Sequence, residues 1–433
     1  MDNVSPESTV TTLSVHALDV PARDTAEAVA RCGYGKLVAY LAARTRDVAG
    51  AEDALADSFA AALTDWPQNG IPHNPEGWLI TVARRRMIDA ARRRRGASEA
   101  ADHLRLIAEE LAAAEANDMQ DDRLRLMFAC AHPAIDPAVR APLILQTILG
   151  FDAATIASAF LVSPATMGQR LVRAKSKIRE AGIPFRLPER AELNERLAAV
   201  LGAIYAAFSE GWSDPVGTQT RRRNLAEEAI WLGRLVVSLL PEEPEGLGLL
   251  ALMLHAEARR AARRNAQGDY VPLAEQDPQA WDARAIEEAE ALLLRASRMG
   301  ALGRYQLEAA VQSAHTVRRR TGRSDWPAIV ELYDALAAIV DSPVVAINRA
   351  IAMAEARGAV EGLAALDALE GDPRLAEYQP YWAARAGLLA RAGEVAAAAA
   401  AYERAIGLEA DPAVRKFLQE RRTELRYGES CRR

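Results

Sequence analysis

Apolar residues recur at helical spacing along almost the whole chain. Ala28, Val29, Leu37, Val38 and Leu41, then Ala54, Leu55, Phe59 and Leu63, predict amphipathic helix over 25–65. The stretch 66–75 (WPQNGIPHNP) holds three prolines and a glycine and predicts a loop. A helix follows from Asn74 to Arg95, its apolar side carrying Trp78, Ile80, Val82 and Ile88, with seven arginines in its last twelve residues. Residues 96–120 are rich in alanine and acids without a strong core pattern, and predict a partly helical linker. Residues 121–150 predict a helical pair broken around 132–141, where Pro133, Pro137 and Pro142 fall.

A short helix (Thr155–Phe160), a turn (Leu161–Ser163) and a longer helix (Pro164–Arg179) come next, before Gly182-Ile183-Pro184 stops the run. Ser163 suits an N-cap and Pro164 the first helical position. No run shows the two-residue alternation and hairpin turns of a strand. The fold class predicted is therefore all-α.

The last 240 or so residues are periodic. GRSDWPAIVELYDALAAIVDSP starts at Gly322, GAVEGLAALDALEGDP at Gly358 and GEVAAAAAAYERAIGLEADP at Gly393, 36 and 35 residues apart. Each follows a helical segment, which gives helix, glycine turn, helix, proline turn, the layout of tetratricopeptide-type repeats. One such unit cannot bury its apolar face alone, so neighbours must stack. Residues 189–300 predict helix without a clean period, interrupted by a loop over 267–282. Tyr305, Tyr333, Tyr378, Tyr381, Trp382 and Tyr402 read as interhelix packing residues rather than as the lining of a groove.

Composition agrees with helix: half of the 433 residues are hydrophobic, aromatics are only 6%, and alanine dominates. The net charge is −6, divided as −1 over residues 1–188 and −5 over 189–433. Basic charge is thus local, as a docking surface needs, rather than spread over the molecule. The three cysteines, Cys32, Cys130 and Cys431, form no C-x-x-C pair. They signal neither a zinc site nor a disulfide framework, even with His132 near Cys130, and point to a reducing compartment. No apolar run approaches the roughly 20 residues that span a bilayer, and the N-terminus lacks a secretion signal. The expectation is a cytoplasmic protein without membrane contact.

Two segments carry candidate chemistry. In the longer helix of the pair, Thr166, Gln169, Arg170 and Arg173 share an outward side while Met167, Leu171 and Ala174 face inward. A helix N-terminus in a DNA major groove needs such donors, with Lys175, Lys177 and Arg179 holding the backbone. In the other segment a proline-rich loop, a tryptophan helix and the cluster Arg84–Arg95 can hold an unstacked base and neutralise single-strand phosphates. Trp66 and Trp78 read as core residues. No glycine-rich phosphate loop, HExxH or nucleophile elbow is present. The paired acids Glu242-Glu243 and Glu287-Glu288 read as solvated, so no catalytic residue, metal or cofactor is expected.

AGAEDALADSFAAALTDWP, then NPEGWLITVARRRMIDAARRRR, then GQRLVRAKSKIREAGIPFRLP, in this order, resemble the extracytoplasmic-function group of sigma-70-type transcription initiation factors. The helical tail is similar to that of the subgroup with a tetratricopeptide-like C-terminal extension. The resemblance implies a mobile tail (1–24), region 2 (25–96), a linker (97–120), region 4 (121–188) and a helical extension (189–427). Glu52, Asp53, Leu55, Asp57 and Phe59 would dock on the clamp coiled coil of RNA polymerase core. Asn74, Trp78, Arg84, Arg85, Arg86, Arg92 and Arg93 would melt and hold a −10 element. Thr166, Gln169, Arg170, Arg173, Lys175 and Lys177 would read a −35 element. This chain has Ala56-Asp57-Ser58 where the family often has a glutamine and an acid, and Gly168-Gln169 where relatives often carry a polar pair.

The function so implied is recruitment of polymerase core to promoter DNA. The C-terminal extension would act as a built-in regulator that takes a protein or ligand. The two DNA-reading elements are expected to be separate, joined by a flexible tether. The alternative is a stand-alone helix-turn-helix regulator with the repeats as sensor.

Overall fold

The computed structural model describes residues 11–94, 121–160, 162–212 and 220–430. Residues 1–10 and the expected linker 97–120 lie outside the described residues. The fold is all-α, with no strand among the described residues. It divides into two compact units, Met1–Ala207 and Phe208–Arg433.

The first unit begins with helix α1 (Thr11–Thr45). Residues 11–24, expected as mobile tail, form its first turns, and Ala22 and Ala26 are buried. α2 (Val48–Asn69) starts on the Asp47 side chain, which accepts from the Gly50 amide, and runs further than the proline pattern predicts. Pro67 sits in its last turn, Trp66 is 1% exposed, and Gly70 ends the helix at φ 88°. Burial of the indole holds that turn helical although Pro67 brings no amide donor. α3 (Pro75–Arg94) starts on Asn74, whose Oδ1 accepts from the Gly77 amide at 3.0 Å. Its buried stripe is Leu79, Ile80 and Ala83, so the face expected at 78, 80, 82 and 88 is rotated slightly.

Four helices follow: α4 (Arg123–Cys130), α5 (Pro137–Leu149), α6 (Ala153–Ala159) and α7 (Pro164–Glu180). α5 carries the Asp136 cap and Pro137 at its start, and a left-handed Gly150 at its end. Pro142, expected to mark a break, is inside α5 and buried. α7 has the predicted start: Ser163 Oγ accepts from the Thr166 amide at 3.2 Å. Its inward stripe is Met167, Leu171, Ala174 and Ile178, as the sequence pattern predicts.

The two halves of this unit are packed together rather than merely tethered. α1 lies against α4 and α5, and α2 against α7. The α1–α5 approach is close at Gly35, where an added Cβ would lie 2.0 Å from the Ile148 carbonyl oxygen. Asp122, 2% exposed, accepts from Arg44 of α1 at 3.0 Å and from Arg125 at 2.7 Å. α8 (Arg190–Trp212) adds to this core through Arg196, 2% exposed, which donates to the Phe128 carbonyl. Residues 190–207 therefore belong to the first unit, whereas the sequence reading starts the extension at 189.

The second unit holds α9 (Thr220–Leu239), α10 (Pro244–Ala258), α11 (Ala283–Ser297), α12 (Arg304–Thr316), α13 (Arg318–Thr321) and α14 (Trp326–Ile339). It continues with α15 (Pro343–Arg357), α16 (Ala359–Asp367), α17 (Gln379–Ala392), α18 (Val395–Leu408) and α19 (Pro412–Ser430). Gly322, Gly358 and Gly393 have φ of 71°, 109° and 85° and each ends a helix, which explains their spacing. Tyr381, Tyr378 and Trp382 pack with Ile347, Leu366 and Leu388, and Tyr402 packs in the adjoining cluster.

The irregular stretch 259–282 is fastened by the last helix. Arg264 pairs with Asp411, Lys416 with Asp269 and Arg421 with Glu275, and the Tyr270 and Phe417 rings meet edge-on at 5.5 Å. No helix among the described residues is long and apolar enough to cross a membrane.

Candidate nucleic-acid interface

Capping and amphipathic burial fix which side of α7 faces outward. Thr166, Gln169, Arg170, Arg173 and Lys177 are exposed, and Arg173 donates to Gln169 Oε1 at 3.4 Å. Five of the six residues expected to read duplex DNA thus share an open surface. Val172, which the sequence reading missed, is 64% exposed among them.

The sixth, Lys175, is turned the other way. Its ammonium donates to Glu52 Oε2 on α2, and the two side chains are only 11% and 14% exposed. One turn on, Arg179 lies 3.7 Å from Asp47. Burial pushes the Glu52 carboxyl above the usual carboxylate range; Lys175 opposes this and Asp53 adds to it. Burial, then Glu52 and Asp53, also raise the neighbouring Tyr34 phenol.

The residues expected to dock on polymerase divide similarly. Asp53 and Asp57 are exposed, Phe59 is half-buried and Glu52 is covered by Lys175. Leu55 is fully buried, so it supports the α2 surface from beneath instead of offering a contact. Ser58 is also fully buried and donates to the Leu55 carbonyl.

At the arginine-rich helix, Asn74 is exposed but its Oδ1 is committed to capping α3. Trp78 is half-buried, edge-on to Trp66 with centroids 5.5 Å apart. Arg84 is half-buried, while Arg85 and Arg86 are exposed, the latter 3.5 Å from Asp57. The side chains of Arg92 and Arg93 lie outside the described residues. The cluster is not sealed into the core, since Arg85 and Arg86 are on the solvent side of α3.

Cys130 is fully buried and its sulfur lies 3.7 Å from Thr147 Oγ1; burial pushes the thiol up to about 12. His132 Nδ1 accepts from the Ala134 amide. Among the described residues no three His, Cys, Asp or Glu side chains are grouped to hold a metal ion.

Residues 30–97 match sigma-70 region 2. Residues 196–297 match a family of unknown function, DUF6596. Over 367 residues the chain is 39% identical to an uncharacterised protein of Rhizobium meliloti (strain 1021), covering 83% of this chain and 86% of that relative. No solved structure matches the chain.

Proposed function

The chain belongs to the sigma-70 family, and on that premise we propose that it directs RNA polymerase core to promoters as an extracytoplasmic-function-type factor with a tetratricopeptide-like C-terminal extension. α2 is the polymerase-docking helix, through Asp53, Asp57 and Phe59, with Glu52 joining once it is uncovered. α3 and the loop before it open and hold the −10 element, with Arg84, Arg85, Arg86, Arg92 and Arg93 on the phosphates. α7 is the second helix of a helix-turn-helix and reads the −35 element through Thr166, Gln169, Arg170 and Arg173.

The observation that carries this reading is the match to region 2 together with a capped basic helix whose outward side is open. The near-neutral charge of residues 1–188 supports dependence on polymerase, because few phosphates are neutralised by the free chain. Polymerase then supplies the effective concentration that two weak readers need.

The Glu52–Lys175 pair makes the free chain a closed form. Docking on polymerase competes for Glu52, so α7 is released as α2 engages. The second unit is the regulatory part, biasing this equilibrium by taking a protein or ligand. Co-purification with core polymerase tests the docking: the chain binds core, and D53K/D57K weakens binding at least tenfold. Absence of any complex removes the reading. For the regulatory part, loss of residues 208–433 changes transcript yield; an unchanged yield removes that part alone.

A further inference from the structure

Basic groups gather in the second unit around the end of α10. His255 is fully buried and neither of its ring nitrogens makes a hydrogen bond among the described residues; Nε2 lies 3.6 Å from Glu290 Oε1. One turn on, Arg259 donates to Gln312 Oε1 at 2.5 Å and to the His255 carbonyl at 3.4 Å. A further turn on, Arg263 donates to the Trp212 carbonyl at 3.0 Å and lies over the Trp212 ring at 4.5 Å.

Their neighbours are neutralised. Arg260 pairs with Glu257 and Arg264 with Asp411. Arg259 and Arg263 are half-buried and have no carboxylate at ion-pair distance among the described residues, although the charge of Asp411 reaches Arg263. Burial and then Arg263 push Arg259 down to about 10, and burial pushes Arg263 down as well. His315 on α12 is pushed to about 4 by burial, then by Arg259 and Arg318.

A structural role accounts for the bonds to the Trp212 and His255 carbonyls, but it leaves two like charges about a turn apart in a half-buried layer. Like charges held this close and partly shielded from water repel. A planar guanidinium fork fits phosphate or carboxylate oxygens two at a time. Tyr270 is on the loop that α19 fastens, and burial raises its phenol, which stays protonated and is a ready additional donor.

We propose that Arg259 and Arg263, with Gln312 and Tyr270 beside them, bind a small anion bearing a phosphate or carboxylate group. The anion supplies a counter-charge to both guanidiniums and ties α10 to α12 and to the fastened loop. This inference stands apart from the promoter reading, since binding is measured on the free chain.

The test is titration calorimetry and thermal melting of the full chain with inorganic phosphate, pyrophosphate and citrate, at constant ionic strength set with chloride. Saturable one-to-one binding and a raised melting temperature are expected. R259M and R263M lose at least tenfold in affinity, whereas R234M, at an exposed pair with Glu288, changes nothing. A response to the phosphate series assigns phosphate, and a response to citrate assigns carboxylate. If R259M does not fold, R263K keeps the charge but removes the fork, and still weakens binding. No saturable response to any of the three anions overturns the proposal, as does undiminished binding by R263M and R263K.

Discussion

Lys175 donates a hydrogen bond to Glu52 from 123 residues further along the chain, joining the helix proposed to read DNA to the helix proposed to hold polymerase. Both side chains are mostly buried, so neither can be lost neutrally. Removing one partner leaves an uncompensated charge, which costs about 3–5 kcal/mol when burial is complete and less in this partly exposed pair. K175M is therefore expected to open the α2–α7 contact. The double variant E52Q/K175M restores closure, since nothing charged is left to bury. Paired fluorescent labels on α2 and α7 report the distance; a K175M chain as closed as the parent removes the pair from any controlling role.

Two glycines predict opposite outcomes. Gly35 faces backbone at the Ile148 carbonyl, which cannot yield as a side-chain tip can. G35A costs at or above the about 1–3 kcal/mol typical of overpacking. Gly168 is helical, and an added Cβ there meets nothing within 4 Å. G168A gains up to about 1 kcal/mol of helix propensity. Urea unfolding of both variants, followed by circular dichroism, checks the contrast.

The cap of α7 is separable from its reading surface. Ser163 Oγ holds the Thr166 amide, so S163A loses about 1 kcal/mol of local stability. The same change leaves Gln169, Arg170 and Arg173 in place. Faster amide exchange confined to the first turn of α7 is the expected result.

Acid weakens the second unit. Burial, then Arg259, holds His255 at about 4 against an ordinary 6.5, and Glu290 is the acid facing it. Burial, then Arg259 and Arg318, does the same to His315. Between these values the unfolded chain binds more protons than the folded one, so stability is lost as pH falls from about 6.5 to 4. For fully buried His255 this reaches roughly 2–3 kcal/mol. H255L removes that share of the slope and keeps neutral-pH stability, because the imidazole makes no hydrogen bond. A melting series from pH 7.5 to 4.5 on both chains reads the difference.

Much of this architecture was legible because it rests on local chemistry. The Ser163-Pro164 start of α7, its inward Met167, Leu171 and Ala174, and the 36- and 35-residue glycine spacing follow from capping, periodicity and left-handed turns. What depends on distant partners was not. Nothing at position 175 marks that lysine as belonging to Glu52 rather than to phosphate. Gly35 reads as an ordinary helix residue until the Ile148 carbonyl is beside it. Asn74 presents the same amide whether it caps a helix or touches DNA. The prolines misled twice, at Pro67 and Pro142, where burial keeps a helix continuous through a residue that usually ends one.

Transcription by purified core polymerase on a promoter library, with and without the chain, addresses promoter direction most directly. Specific transcripts appear only when the chain is added. R85A/R86A blocks strand opening at every promoter, while Q169A/R173A shifts which upstream sequences are used. Specific duplex binding by the free chain, with no transcript gained from core, would contradict the account and favour a stand-alone regulator.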